Sequence, residues 1–99
     1  MVITTLEANV KEENWSDLRN KFKKMTEILP KEIIQAYLTQ SMKELNIWRG
    51  ITIWKSMEEL MEYRKTVEIP EGIKLFRSVG VEPSISIFEI KENSYLNDE

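Results

Sequence analysis

Residues 47–64 read Ile47-Trp48-Arg49-Gly50-Ile51-Thr52-Ile53-Trp54-Lys55-Ser56-Met57-Glu58-Glu59-Leu60-Met61-Glu62-Tyr63-Arg64, and this stretch decides the fold. Up to Trp54 the residues alternate with the period of a β-strand. Beyond Ser56 the apolar residues recur at steps of three and four, the period of a helix. Ser56 followed three residues later by Glu59 is a capping box, the signature of a helix start. A strand therefore runs directly into a helix. Met57, Leu60, Met61 and Arg64 are expected to form the inward stripe of that helix.

The elements on either side complete the pattern. Residues 1–10 alternate as a half-buried strand, with Val2, Leu6 and Ala8 on one face. Asn14 is placed to cap a helix whose stripe is Trp15, Leu18, Phe22, Met25 and Leu29, and Pro30 ends it. Residues 32–41 form a second strand, joined by the polar link Lys43 to Asn46 to the strand at 47–55. A short helix is expected from about Glu71 to Val79, with Gly80 as its C-terminal cap. The last strand runs from about Ser84 to Lys91. The order β-α-β-β-α-β predicts an α+β, ferredoxin-like domain: a four-stranded antiparallel sheet with helices on one face. The domain spans residues 1–92, and 93–99 read as a polar C-terminal tail in which Tyr95 and Leu96 are free to dock on a neighbour.

The strands are expected to show two unlike faces. Val2, Leu6, Ala8, Ile34, Ala36, Leu38, Ile51, Ile53, Ile85 and Ile87 suit packing under helices. Thr5, Glu7, Asn9, Gln35, Tyr37, Thr39, Trp48, Thr52, Trp54, Ser86, Phe88 and Ile90 would form the other face, mixing aromatics with hydrogen-bonding groups. A monomer seldom leaves such a patch in water. Pairing two of them about a twofold axis predicts a homodimer, a dimeric α/β barrel.

Composition narrows the chemistry. The chain has no histidine and no cysteine, so thiolate nucleophiles, disulfides and imidazole bases or metal ligands are excluded. No acidic run matches a calcium loop, and no metal is expected. A net charge of −3 gives no pull toward nucleic acid or an anionic membrane. Arg19, Lys21, Lys23 and Lys24 read as the solvated, cation-rich end of a helix that begins with Glu12, Glu13 and Asp17. No apolar run reaches the roughly 20 residues that span a bilayer, and no secretory leader is evident. A cytoplasmic protein is the expectation.

From Ile51 to Ser56, then at Leu60, Tyr63-Arg64, Phe76, Gly80 and Pro83, with Asn9 near the end of the first strand, the chain resembles the antibiotic-biosynthesis monooxygenase family of dimeric α/β barrels. The likeness covers about residues 1–91. It implies an oxidoreductase: a cofactor-free monooxygenase of a small aromatic or quinol-type compound that itself supplies electrons to O₂. Haem-degrading members carry a first-strand asparagine, an aromatic on the second helix and a histidine. Asn9 and Tyr63 match the first two, and the histidine has no counterpart.

Five residues are the candidates for the site. Asn9 can stabilise negative charge on a substrate oxygen, and Tyr63 can donate a proton, which makes these two the catalytic candidates. Trp54, Arg64 and Tyr37 are the candidates for substrate contact, the arginine toward an anionic or enolate-like group. Each has a plainer reading beside it: a turn-forming asparagine, aromatics that anchor an interface, a surface arginine in a weak ion pair. Glu7, alone in mid-strand, is a base if it is buried and an ion-pair partner if it is not. The alternative for the whole chain is a non-catalytic barrel that binds a small molecule or a protein. Nucleic-acid binding through an open sheet is the reading that the acidic charge least supports.

Overall fold

The computed structural model describes residues 1–94; the expectations for Tyr95, Leu96 and the rest of the tail lie outside the described residues. The elements are β1 (Val2–Asn9), α1 (Trp15–Thr26), β2 (Ile33–Gln40), β3 (Ile47–Trp54), α2 (Met57–Thr66), α3 (Glu71–Arg77) and β4 (Ser84–Glu89). All strand pairs are antiparallel, in the order β2-β3-β1-β4. This is the ferredoxin-like arrangement, with α3 as the extra helix before the last strand. Among the described residues no helix is long and apolar enough to cross a membrane.

The register corrects the expected faces in β3 and at the start of β2, where an irregularity between Ile33 and Gln35 puts Ile33 against the helix-side cluster and leaves Ile34 exposed. Val2 pairs with Trp54, Thr4 with Thr52, Leu6 with Gly50 and Ala8 with Trp48. Directly opposed residues share a face. Both tryptophans therefore lie on the helix side, and Ile51 and Ile53 on the open side. A one-residue error in strand phase exchanges the faces completely. In β3 either phase offers two large apolar residues, so the pattern alone is degenerate. The phase is set by packing from above. Gly50 has no side chain, and the fully buried ring of Phe76 occupies the space over it: a Cβ built on Gly50 would lie 3.4 Å from Phe76 Cε2.

Two buried clusters sit between sheet and helices. The larger joins Ala8, Val10 and Trp48 to Leu18 of α1 and to Leu75, Phe76 and Val79. The smaller joins Val2 and Trp54 to Leu60 and Tyr63 of α2. The buried side of α2 is thus Leu60 and Tyr63, while Met57, Met61 and Arg64 of the expected stripe stay exposed.

The helix ends explain the connections. Ser56 Oγ accepts from the Glu59 backbone N–H at 3.1 Å, which satisfies one orphan donor at the start of α2. The reciprocal arm of the box does not form, since Glu59 Oε2 is buried without a hydrogen-bond partner. Asn14 does not cap α1. A 3-10 turn over Glu12–Asn14 leads into the helix, and Asn14 Nδ2 donates instead to the Val79 carbonyl at 3.4 Å. Gly80, at φ 81°, closes α3: its N–H donates to the Arg77 carbonyl and that of Val81 to the Phe76 carbonyl. This is the Schellman arrangement, which favours glycine at the left-handed position. Arg77 and Glu82 pair across the turn at 2.8 Å. The hydrogen bond from Arg77 holds the Glu82 carboxyl below its ordinary value. The small contribution of this exposed pair is therefore present above the usual glutamate range and fades as pH falls through the lowered value.

Candidate functional site

One row across the helix side of the sheet is built from small residues on three of its four strands. Ala36, Thr52, Thr4 and Ile87 lie opposite one another on successive strands. The row on one side carries Trp54 and Ile33, and the row on the other carries Leu6 and Ile85. The floor is therefore low in the middle, and the two buried clusters do not close over it. A shallow cleft fills the gap, with about 90 Å³ of room inside it and about 740 Å³ when the open solvent at its mouth is included. Its walls come from Met25 at the end of α1 and from Ile28 and Leu29 in the connection after it, where the expected stripe residue Leu29 lies outside the helix, from α2 (Leu60, Tyr63, Arg64) and from the start of α3 (Gly72, Ile73). Ile28 is 86% exposed at the rim.

Most of this lining is apolar, which is the usual make-up of a small-molecule site. Trp54 and Tyr63 form its aromatic corner, with ring centroids 5.2 Å apart and an interplanar angle of 43°. Both rings are fixed through their polar ends. The Trp54 indole N–H donates to Thr4 Oγ1 at 3.0 Å. The Tyr63 hydroxyl accepts from the Glu71 backbone N–H at 3.1 Å, which ties α2 to the start of α3. Each hydroxyl is used as an acceptor in these bonds, so its own proton is left for a ligand. Thr52 adds a third hydroxyl to the floor.

The charged groups at the cleft are Arg64 and Glu71. Lys74 Nζ lies 3.5 Å from Glu71 Oε1. Lys65, next to Arg64, pairs with Glu62 at 3.6 Å. Arg64 makes no ion pair or side-chain hydrogen bond among the described residues. The cleft thus offers hydrogen-bond donors and one uncommitted positive charge. It can stabilise negative charge on a ligand oxygen better than it can remove a proton.

Three of the five sequence candidates meet in this cleft: Trp54, Tyr63 and Arg64. Asn9 and Tyr37 do not join them. The register puts Asn9 opposite Ile47 and Tyr37 opposite Ile51, both on the open face, where both are exposed. Glu7 is on that face too, as an ion-pair partner: Arg49 Nε donates to its carboxylate at 3.0 Å. Sequence reasoning passed over Thr4, Thr52 and Ala36, which shape the floor. The available signal was a small residue at the middle of three strands, in one phase, flanked by large ones.

Among the described residues no group of three acidic side chains is placed to hold a metal. Haem does not fit the cleft either. The chain has no histidine or cysteine, the Tyr63 hydroxyl is engaged by Glu71, and a thioether such as Met25 serves haem iron opposite a histidine.

Gly72 controls the depth of the cleft. A Cβ built on it would lie 2.6 Å from Leu6 Cδ1, so Gly72→Ala must displace the Leu6 side chain, which lines the cleft. The end of a leucine can move, and alanine is the better helix former by up to about 1 kcal/mol. The expected result is near-unchanged stability in urea and a several-fold loss of affinity for any ligand of the cleft. Equal ligand affinity in the two proteins would show that Leu6 moves elsewhere.

No protein-family model and no curated protein matches the chain by sequence. Solved structures do match in fold. A provisionally named antibiotic biosynthesis monooxygenase from Deinococcus radiodurans superposes with a TM-score of 0.74 at 13% identity, covering 98% of this chain and 99% of that one. A single-site mutant of MhuD, with two manganese protoporphyrin IX bound per active site, gives 0.74 at 15% identity, over 96% and 99% of the two chains. A further antibiotic biosynthesis monooxygenase gives 0.67 at 11% identity, over 93% and 100%. The expected fold is thus the one found: this chain has the ferredoxin-like fold of the antibiotic biosynthesis monooxygenases.

Proposed function

We propose that this protein is a cofactor-independent monooxygenase of a small phenol- or quinol-type aromatic compound, held in the cleft between sheet and helices. The observation that carries the reading is the Trp54–Tyr63 corner, a fixed aromatic wall with unspent hydroxyl protons beside it. Trp54 would stack on the substrate ring. Tyr63 would donate to the substrate oxygen and stabilise its phenolate, with Arg64 at the mouth favouring the same anion. The substrate supplies the electrons. A phenol whose para C–H becomes a carbonyl consumes one O₂, keeps one oxygen atom and releases the other in water.

The second reading is a binding protein without turnover. It is favoured by the lack of an uncommitted base in the lining, where the only carboxylate, Glu71, is paired with Lys74. One experiment separates the two. Purified protein is given a panel of phenols and hydroquinones in an oxygen electrode, with quinone followed by absorbance. Oxygenation predicts one O₂ consumed per quinone formed and a roughly hundredfold slower rate in Tyr63→Phe, the usual cost of losing one such donor. Binding of a panel compound with no protein-dependent oxygen uptake would leave the second reading.

The open face supports a homodimer. Ile53, Ile3 and Phe88 form one row across it, and Tyr37 and Ile51 sit in the next. Among the described residues no helix covers them, and Phe88 is 57% exposed. The reason for pairing is thus an isoleucine patch with two aromatics, in place of the tryptophans. A second copy presents the same flat surface and buries both patches at once.

A further inference from the structure

We infer that the ligand of the cleft is an amphipathic monoanion, with its apolar body on Trp54 and Tyr63 and a permanently charged, carboxylate-like group at Arg64. This deepens the proposed function and rests on its reading of the cleft as a binding site.

Arg64 is a charge left over. Of the chain's four arginines two are already committed, and Arg19, exposed on α1, does not line the cleft. Arg49 donates to Glu7, and Arg77 to Glu82. Carboxylates are abundant around Arg64, yet none takes it. Glu62 is held by Lys65 and Glu71 by Lys74. At Val67 the chain turns extended, so α2 ends before Glu68. A planar guanidinium beside a mostly apolar cleft is suited to a carboxylate, which it can bind through two parallel donors. A neutral ligand would leave that capacity unused. A dianion would bring its second charge toward Glu71, at the same mouth. One negative charge on an apolar body fits both groups.

Two fluorescent probes with one skeleton test this. The anionic probe is 8-anilinonaphthalene-1-sulfonate, and the neutral one is N-phenyl-1-naphthylamine, the same body without the sulfonate. Both are titrated into wild type, Arg64→Gln, Arg64→Lys and Gly72→Ala, with circular dichroism confirming that each variant is folded. The inference expects Arg64→Gln to weaken the anionic probe roughly fivefold, the upper range for an exposed ion pair. The neutral probe should change less than twofold, and Arg64→Lys should recover most of the loss. Raising the salt to about 1 M should weaken only the anionic probe. Gly72→Ala should weaken both. If Arg64→Gln leaves both probes unchanged while Gly72→Ala weakens both, the anion inference is overturned and the cleft reading stands. If neither probe binds, both fail together.

Discussion

Phe76→Ala is expected to remove about 3–5 kcal/mol of folding stability, the range for deleting a buried aromatic side chain. The upper half of that range applies, because nothing nearby can fill the space. Phe76 is 0% exposed and lies over Gly50, which has no side chain to rise into the void. Its neighbours in the larger cluster come from β1, β3 and α1, elements that are themselves held by sheet pairing and helix ends. They cannot collapse inward without breaking those bonds. A domain of this size holds a total of roughly 5–15 kcal/mol, so the variant should lose between about a quarter and nearly all of it. Urea unfolding followed by tryptophan fluorescence gives the number. A loss below about 1.5 kcal/mol would mean that the ring does not set the phase of β3.

Ile53→Lys is expected to convert a dimer into a monomer without unfolding it. Ile53 lies mid-row on the open face, between Gln35 and Ile3. In the monomer a lysine there reaches water and costs little. In a face-to-face dimer each copy brings one charge into the interface, and a buried charge without a partner costs several kcal/mol. With two such charges, the dissociation constant should rise more than roughly a thousandfold. Light scattering should give wild type at twice 11.8 kDa and the variant at 11.8 kDa. Probe binding should persist in the monomer, because the cleft is on the opposite face of the sheet. A monomeric wild type at high concentration would remove the dimer from the account.

Much of this fold was legible in the sequence because its signals are local. Ser56 caps α2, Gly80 terminates α3 and Pro30 follows the end of α1, each through its own backbone chemistry. The order of elements followed from the change of period alone. What escaped was set at a distance. The phase of β3 depends on Phe76, 26 residues further along the chain, meeting Gly50. The buried face of α2 depends on where Trp54 lies, so Tyr63 replaced Met57 and Met61 as the inward residue once β3 was rephased. Asn14 looked like a cap because of its type and position, but its side chain instead reaches the loop after α3. The candidate site shares this division. Trp54, Tyr63 and Arg64 come together because one strand–turn–helix unit carries all three. Asn9 and Tyr37 are separated from them by the thickness of the sheet.

A ligand that enters between sheet and helices at the Trp54–Tyr63 corner must disturb the groups that line it. The most direct measurement is a ¹H–¹⁵N spectrum of the protein titrated with a simple phenol or with the anionic probe. The chain has three tryptophans, so the indole N–H signals report three separate places. The Trp54 indole is expected to shift, together with the amides of Arg64 and Gly72, while the indoles of Trp15 and Trp48 hold still. Shifts confined to Asn9, Tyr37 and Phe88 would place the ligand on the open face and contradict it.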